Sequence, residues 1–239
     1  MNDIQKAYDQ LSQNQKDQFE KLSRLLITEN LKCNLTRIVE PDQIMTKHFI
    51  DSLAAFDLMK AYEEKSGSMP FLIDIGSGAG FPVLPLAIAF PNWNFTSVEA
   101  TGKKTDFQNL VVEQLGLDNI DIIQDRAEEL ATEEDYWQKF DFTVTRAVGK
   151  LEMIAELTVP FLRKGGKFLT WKGPRIAEEM PAGKRALEIL GMGNIRDLPY
   201  QLPDQQQSEC RLIEATKIKN TPSKYPREFK DIKKFPLGS

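Results

Sequence analysis

The chain has 239 residues, a length expected for one large domain or for one domain with an appendage. Hydrophobic residues make up 41% and charged residues 28% of it, which is typical of a globular protein and excludes global disorder. No apolar run approaches the roughly 18 residues that a membrane helix needs, and the start of the chain lacks the basic and apolar regions of a secretory signal. Two cysteines and one histidine are too few for a disulfide framework or a histidine-rich zinc site. We therefore expect a cytoplasmic protein that binds no membrane and no metal.

Charge is unevenly distributed along the chain. The net charge is −4, which by itself argues against a nucleic-acid binder. However, residues 118–141 contain nine acids and two bases, whereas residues 217–234 contain seven bases and two acids. Such runs are either solvated faces or, for the basic run, a tail that meets phosphates.

The first part of the chain is predicted to be helical. Apolar stripes run through residues 4–11 and 19–26, and Ser12 and Gln15 have the spacing of a capping box, so we expect two helices. A further helical stretch follows Pro41 and ends at the breaker 66–70. We assign residues 1–66 to an N-terminal helical extension and residues 67–239 to a second domain with a basic C-terminal tail from about residue 217.

From residue 71 onward, strands and helices alternate. Predicted strands cover residues 71–75, 93–99, 120–123, 140–145, 167–171 and 210–218, and predicted helices cover residues 81–90, 103–115, 151–162 and 175–190. This order indicates an α/β fold with a mostly parallel sheet and helices on both faces. In such a sheet the ligand lies at the carboxyl ends of the strands, near the point where the strand order reverses.

A glycine-rich loop follows the first predicted strand. Gly76, Gly78 and Gly80 alternate with small residues, and this spacing lets the backbone turn sharply and approach a ligand closely. Asp74 precedes the loop, and Glu99 ends the second predicted strand, where a carboxylate can accept hydrogen bonds from ribose hydroxyls. The loop therefore indicates a nucleoside-containing ligand.

Three interpretations of the loop are open. Dinucleotide sites prefer the spacing Gly-x-Gly-x-x-Gly, because a helix N-terminus must meet a pyrophosphate. The spacing here is Gly-x-Gly-x-Gly after Asp74, which resembles the first motif of S-adenosylmethionine-dependent methyltransferases. That cofactor has an ammonium group and no phosphate, so a carboxylate suits it, and we favour it over a dinucleotide and over a turn without a ligand. The loop after the third strand then lies beside the adenine, where the Ala127 amide and the Glu128 carboxylate can bind the ring edge.

The segment from Thr143 to Val148, which spans the end of the fourth predicted strand and the loop after it, is expected to face the group to be methylated. It contains no Asn/Asp-Pro-Pro-Tyr/Phe sequence to hold an exocyclic amine, and no cysteine there supports a covalent route to a pyrimidine carbon. Arg146 can hold the O6 edge of guanine, a phosphate or the cofactor carboxylate, or it can form a structural ion pair. The N7 atom of guanine has a free lone pair, so its methylation needs alignment with the methyl group and exclusion of water, without a base or a covalent intermediate.

Short motifs along the chain occur in the order typical of one family. They are Asn34-Leu35-Thr36, His48-Phe49-x-Asp51-Ser52, Asp74-Ile-Gly-Ser-Gly-Ala-Gly-Phe-Pro82, Arg126-Ala-Glu128, Arg146-Ala147, Lys172-Gly173 and Tyr225-Pro226-Arg227. Together, over about residues 15 to 237, they resemble the bacterial 16S rRNA guanine-N7 methyltransferase family RsmG, also called glucose-inhibited division protein B (GidB). Two positions depart from the family pattern: Glu99 replaces the usual Asp, and the tail after Arg227 lacks the usual Gly and Pro.

The resemblance implies a Rossmann-like class I S-adenosylmethionine-dependent methyltransferase with a seven-stranded, mostly parallel sheet. It implies rRNA processing by transfer of a methyl group from S-adenosyl-L-methionine to N7 of guanosine 527 in 16S rRNA, which leaves S-adenosyl-L-homocysteine. The implied partner is 16S rRNA, the small ribosomal subunit or an assembly intermediate, and the expected state is a monomer. Combining the motifs with the resemblance, we expect cofactor contacts from Asp74, Gly76, Gly78, Gly80, Phe81, Glu99, Ala127, Glu128 and Arg146.

RNA binding by an acidic protein requires that its basic groups be segregated. We predict RNA contacts from Arg37, Arg126, Lys172, Lys184, Arg185, Lys224 and Arg227, and we expect the acidic stretch 128–135 to lie away from the mouth of the site. Phe81 or Trp171 either stacks on a base or belongs to the core, and His48 is expected to be a packed or capping residue. A methyltransferase acting on a small molecule and a non-catalytic binding module remain as alternative functions.

Overall fold

The computed structural model describes residues 4–146 and 149–239. Ala147 and Val148, part of the segment predicted to face the methylated group, lie outside the described residues, as do the first three residues. Within the described ranges, no helix is both long and apolar enough to cross a lipid bilayer.

The N-terminal part is helical, as predicted, and the predicted capping box is confirmed. Helix α1 (Ile4–Asp9) is followed by α2 (Gln13–Cys33), and Ser12 caps α2 through a reciprocal pair of hydrogen bonds with Gln15. The stretch after Pro41 is interrupted, since α3 (Pro41–Ile44) leads into a π-helical turn (Met45–Ile50) before a 3-10 turn and α4 (Phe56–Ser66). The sequence pattern did not predict the π turn, which adds a residue to the helical repeat.

The remaining chain forms one seven-stranded sheet with the order β3-β2-β1-β4-β5-β7-β6. Strands β1 to β5 are parallel, β7 is antiparallel to β5, and β6 is antiparallel to β7. The strands are β1 (Phe71–Ile75), β2 (Asn94–Val98), β3 (Ile120–Ile123), β4 (Phe140–Arg146), β5 (Leu162–Lys172), β6 (Met192–Gln201) and β7 (Glu209–Lys217). The strand order reverses between β1 and β4, so the ligand crevice is expected at their carboxyl ends.

Helices connect the strands and cover both faces of the sheet. They are α5 (Val83–Ala89), α6 (Gly102–Leu115), α7 (Ala127–Leu130), α8 (Leu151–Thr158), α9 (Ile176–Ile189) and α10 (Phe229–Lys234). Successive residues of a strand belong to apolar clusters on opposite faces of the sheet. Leu72 of β1 packs with the N-terminal helices, and Ile73 packs with α7 and α10. The predicted α/β fold with a mostly parallel sheet is therefore confirmed.

Some predicted elements differ from the structure. Strand β6 was not predicted, because its sequence contains Gly193 and Pro199 and buries little more than Met192 and Tyr200 along an edge of the sheet. Helix α10 was also missed within the tail. The fourth strand, predicted over residues 140–145, is confirmed as β4 and extends one residue further to Arg146.

The N-terminal helices share a core with the sheet. Phe19 and Leu22 of α2 are fully buried, and they belong to the same apolar cluster as Leu72 and Trp171 of the sheet. The Gln15 side-chain amide also donates to the carbonyls of α5, at 2.8 Å from the Ile88 oxygen. The proposed boundary at residues 66 and 67 stays a prediction, but the extension is a covering layer of the sheet.

Candidate active site

The glycine loop lies at the carboxyl end of β1, as predicted. Gly76, Gly78 and Gly80 have φ angles of 70°, 63° and 88°, a left-handed conformation that side chains disfavour. An added Cβ at Gly80 would stand 2.3 Å from Leu84 Cδ1, whereas one at Gly78 would meet nothing within 4 Å. Gly80 is thus required for packing, and Gly78 leaves an open cradle above the loop.

A buried polar network braces this loop from below. The Ser97 hydroxyl lies 2.5 Å from Gln108 Oε1 and 2.7 Å from the Ser77 hydroxyl, and the Gln108 amide donates to the Gly78 carbonyl at 2.8 Å. Ser77, Ser97 and Gln108 are almost completely buried. Sequence reasoning missed this network, because Gln108 on α6 and Ser97 on β2 carry no local signal of a role. It fixes the loop in the conformation that the glycines permit.

Glu99 follows β2 and reaches the glycine loop. Its Oε2 accepts the Gly78 N–H at 3.0 Å, and its Oε1 accepts the Thr101 N–H at 2.9 Å. The Lys104 ammonium lies 3.7 Å from Oε2. Each carboxylate oxygen can accept a second hydrogen bond. These contacts fix the carboxylate beside the loop, where it retains capacity for hydroxyl donors.

Asp74, near the end of β1, is completely buried beneath the loop. Its Oδ2 accepts the Val83 N–H at 3.2 Å, but its Oδ1 has no hydrogen-bond partner among the described residues. Burial raises the pKa of Asp74 to about 8, and the Arg146 charge opposes that rise. Burying a carboxylate oxygen without a hydrogen-bond partner costs free energy, and a cationic ligand group that pairs with this oxygen offsets the cost.

Arg146, the last residue of β4, is held beside the same loop. Its Nη1 donates to Asp51 Oδ2 at 2.8 Å, and this nitrogen also lies 3.3 Å from the Lys47 carbonyl oxygen. The guanidinium carbon stands 5.5 Å from the centre of the Phe81 ring. About 12% of each side chain of the Arg146–Asp51 pair is exposed. The ion pair considered from the sequence is therefore present, with Asp51 of the His-Phe-x-Asp-Ser motif as its partner.

His48 packs against these residues as a neutral imidazole. Its ring is stacked on that of Phe81, with centroids 4.6 Å apart and planes 3° from parallel. Burial, followed by the Arg146 charge, lowers the pKa of His48 to about 3. Because the Arg146 Nη2 donor lies 3.3 Å from His48 Nδ1, the proton resides on Nε2, which donates to the Thr36 hydroxyl at 2.9 Å. His48 is thus a packed residue, as expected.

Part of this group of residues lines one cavity of about 390 Å³ at the carboxyl ends of the strands, whereas Asp74, Gly80 and Glu99, predicted as cofactor contacts, lie beside it and are not among the residues that line it. Phe81 contributes to its wall, whereas Trp171 is a core residue whose indole N–H donates to the Asp51 carbonyl at 2.7 Å. Lys47 and Lys104 also line the cavity and were not predicted from the sequence. The lining residues are Leu35, Thr36, Lys47, His48, Asp51, Gly76, Ser77, Gly78, Ala79, Phe81, Lys104 and Arg146.

The predicted adenine-binding segment begins α7. Ala127 is the first residue of this helix, and the exposed Arg126 lies 3.5 Å from Glu128 Oε1. Arg126 and Glu128 border a second groove of about 510 Å³, whose other wall is the tail residues 226–230. Ile232 of the tail packs in the same apolar cluster as Leu130, so the acidic stretch 128–135 adjoins the basic tail, and its separation from the mouth of the site stays a prediction.

Several predicted RNA contacts form bonds within the protein. Lys172 donates to Glu179 at 2.8 Å, Arg227 forms a bidentate pair with the fully buried Glu156, and Arg185 donates to the Gly238 carbonyl. Their contacts with RNA stay predictions, as do those of the exposed Arg37, Arg126, Lys184 and Lys224.

The basic run is also less charged at the surface than its sequence suggests. Lys217 is buried, with its ammonium 3.2 Å from the Val159 and Leu190 carbonyls, and burial lowers its pKa to about 7. Lys230 pairs with Glu228 at 2.6 Å.

The acceptor groups beside the loop fit S-adenosylmethionine. Its ammonium group has a counterpart in the unpartnered Asp74 oxygen, and its ribose hydroxyls have one in Glu99. The open cradle at Gly78 admits a close ligand. A pyrophosphate would meet two carboxylates instead of donors, so a dinucleotide fits poorly.

The fold and this crevice define a class I S-adenosylmethionine-dependent methyltransferase. Among solved structures, the N-terminal domain of human METTL16 in complex with SAH is similar over 85% of this chain and 84% of that one, with a TM-score of 0.57 and 17% identity. The 16S rRNA methyltransferase RsmC of T. thermophilus, in complex with AdoMet and guanosine, is similar over 70% of this chain and 43% of that one, with a TM-score of 0.53 and 21% identity. At these identities the likeness shows the fold alone.

Comparison of sequences defines the family. The model of GidB, described as rRNA small subunit methyltransferase G, matches residues 15–198. A relative named ribosomal RNA small subunit methyltransferase G in Lactococcus lactis subsp. cremoris MG1363 is 38% identical over 95% of this chain and 93% of its own length. A relative of the same name in Lachnoclostridium phytofermentans is 40% identical over 95% of this chain and 91% of its own length. The chain belongs to the GidB family of rRNA small subunit methyltransferases, and the resemblance seen in its motifs is confirmed.

Proposed function

We propose that this protein methylates N7 of guanosine 527 in 16S rRNA, within the small ribosomal subunit or one of its assembly intermediates. The observation that carries the proposal is the position of Arg146, which the Asp51 carboxylate holds at 2.8 Å beside the glycine loop. A guanidinium fixed in this way presents directed donors to an acceptor such as O6 of guanine. The relatives' names, which specify the small-subunit RNA, support the same substrate.

The proposed cofactor contacts are those predicted from the sequence. S-adenosylmethionine supplies a methyl group made electrophilic by the sulfonium. Asp74 is proposed to hold its ammonium, Glu99 its ribose hydroxyls, and the Ala127 amide and Glu128 its adenine edge. Gly76, Gly78, Gly80 and Phe81 are proposed to form the surface on which it rests, and the Arg146 guanidinium is proposed to orient the guanine or the cofactor carboxylate.

The protein's part in the proposed reaction is positioning. The N7 atom carries its own lone pair, so no side chain has to remove a proton from it. This agrees with the environment of His48, whose pKa of about 3 and whose contacts with Thr36 and Arg146 leave it neutral and engaged. The stacked His48 and Phe81 rings exclude water from one side of the Arg146 guanidinium.

The experiment combines labelled S-adenosylmethionine with small ribosomal subunits and with naked 16S rRNA. Borohydride reduction and aniline cleavage then map N7-methylguanine, and we expect one cleavage site, at guanosine 527. Transfer to a small molecule without any RNA cleavage would favour the small-molecule alternative, and cofactor binding without transfer would favour a non-catalytic module. Cleavage at a different guanosine would retain the reaction and refute the assigned position.

A further inference from the structure

We propose that Tyr200 is a positioning residue that holds Arg146 in its working orientation through Asp51. The proposal rests on the role given to Arg146 under the proposed function. Tyr200 lies on the edge strand β6, separated from β4 in the sheet by β5 and β7. The observation behind the proposal is a continuous chain of hydrogen bonds from this edge strand to the active-site cavity.

The chain of bonds is short and directed. The Tyr200 hydroxyl donates to Asp51 Oδ1 at 2.6 Å, and the other oxygen of the same carboxylate, Oδ2, accepts Arg146 Nη1 at 2.8 Å. As whole residues, Tyr200 is 3% exposed and Asp51 is 8% exposed, so little water is available to replace either hydrogen bond. Burial, together with the neighbouring Asp51 charge, raises the pKa of the Tyr200 hydroxyl well above its usual value, and the hydroxyl therefore stays protonated as a donor.

Asp51 is fixed at both its backbone and its side chain. The Trp171 indole N–H on β5 donates to the Asp51 carbonyl at 2.7 Å, while Tyr200 holds the carboxylate. With two donors on different oxygens, the carboxylate plane cannot rotate without breaking a charge-assisted bond. Removal of the Tyr200 hydroxyl leaves Oδ1 without this donor and frees the carboxylate to rotate toward a new partner.

The orientation of Asp51 decides that of the guanidinium. Nη1 is committed to Asp51 and to the nearby carbonyls of the π turn, and Nη2 faces His48 Nδ1 at 3.3 Å. Among residues 4–146 and 149–239, neither the Arg146 Nε–H nor the second N–H of Nη2 has an acceptor, so the edge formed by Nε and Nη2 is available to a ligand. A rotated Asp51 carboxylate turns this edge away from the cavity, and a small misplacement of a positioning group is sufficient to slow a reaction.

The test is Tyr200→Phe in the full chain, with Tyr62→Phe as a matched control. The Tyr62 hydroxyl also donates to an aspartate at 2.6 Å, but that aspartate is Asp141. Asp141 lies near the start of β4, at the opposite end of this strand from Arg146. We expect Tyr200→Phe to lower kcat for small-subunit RNA about tenfold with less than a twofold change in the dissociation constant of S-adenosylhomocysteine. Tyr62→Phe is expected to lower the unfolding temperature no more than Tyr200→Phe, because Asp141 keeps the Arg163 and Phe71 donors, and to leave kcat within twofold of the wild type.

A double-mutant cycle tests whether the effect passes through Arg146. In an Arg146→Lys background, which lacks the guanidinium fork, Tyr200→Phe is expected to reduce kcat by less than a further twofold. Unchanged activity of Tyr200→Phe, an equal loss in Tyr62→Phe, or a full tenfold further loss in the Arg146→Lys background would each overturn the inference.

A measurement independent of activity separates this inference from the proposed function. In protein labelled with ¹⁵N-arginine, the Arg146 Nε–Hε signal is assigned by its absence from Arg146→Lys. It is expected to shift or broaden in Tyr200→Phe and to be unchanged in Tyr62→Phe, whether or not RNA is methylated. Wild-type protein that leaves small-subunit RNA unmethylated refutes the proposed function alone, whereas an unchanged Arg146 signal in Tyr200→Phe refutes the positioning role alone.

Discussion

Substitution of Gly78 by alanine separates the ligand-binding role of the glycine loop from its conformational role. Gly78 has a φ of +63°, and an added Cβ would meet nothing within 4 Å. Gly67, which ends α4, and Gly116, which ends α6, have φ angles of +62° and +63° and are equally open. All three positions therefore carry the same backbone constraint, but only Gly78 borders the active-site cavity.

The expected loss of stability is the same for the three variants. An L-residue in the left-handed region costs about 1–2 kcal/mol, and no steric clash adds to it because the space around each Cβ is empty. For a chain of this length, each kcal/mol lowers the unfolding temperature by roughly 2–4 °C. Of the three substituted glycines, only Gly78 belongs to the proposed cofactor surface, so Gly78→Ala is expected to weaken S-adenosylhomocysteine binding at least tenfold, or by about 1.4 kcal/mol.

Thermal unfolding and isothermal titration calorimetry of the three variants measure these two effects. Gly67→Ala and Gly116→Ala are expected to bind S-adenosylhomocysteine with wild-type affinity. If Gly78→Ala also bound it with unchanged affinity, the cofactor would not rest on this loop. If instead the three unfolding temperatures differed widely, the conformational argument for the glycines would fail.

Three further predictions concern charged groups: Arg146 and Asp74 of the candidate active site, and Glu156, which pairs with Arg227 of the tail. Arg146→Ala is expected to lower methyl transfer at least a hundredfold while circular dichroism still reports a folded protein, and full activity would remove Arg146 from the site. Burial raises the Asp74 pKa to about 8, so below that pH a cationic ligand must bind with release of up to one proton. The affinity for S-adenosylhomocysteine should therefore rise with pH up to about 8, and calorimetry in buffers of different ionisation enthalpy should detect a proton release that Asp74→Asn lacks. Glu156→Gln weakens the anchor of Arg227 by about 1–3 kcal/mol, so limited proteolysis should cut the tail faster than in the wild type; equal rates would show that the tail is held elsewhere.

Elements whose signals are local could be predicted from the amino-acid sequence. The runs 71–75 and 120–123 became strands with the predicted bounds. The first is a central strand whose apolar segment is buried, and the second is an edge strand rich in isoleucine, a residue that favours strands. The capping box of Ser12 and the glycines of the loop after β1 were predicted correctly for the same reason, since each depends on residues within a few positions. The family resemblance implied a sheet of seven strands, but neither it nor the periodicity located β6.

The contacts that hold the site together, and the set of charges that reach the surface, depend on how distant segments pack. Asp51 meets Arg146 across 95 residues and Tyr200 across 149, and no local pattern encodes such distances. Likewise, the sequence places Lys217 in the basic tail, but in the structure its ammonium group is buried beside the Val159 and Leu190 carbonyl oxygens. Hydrophobic periodicity specifies which face of an element is buried, but the partner of a polar side chain depends on how the elements are packed against each other.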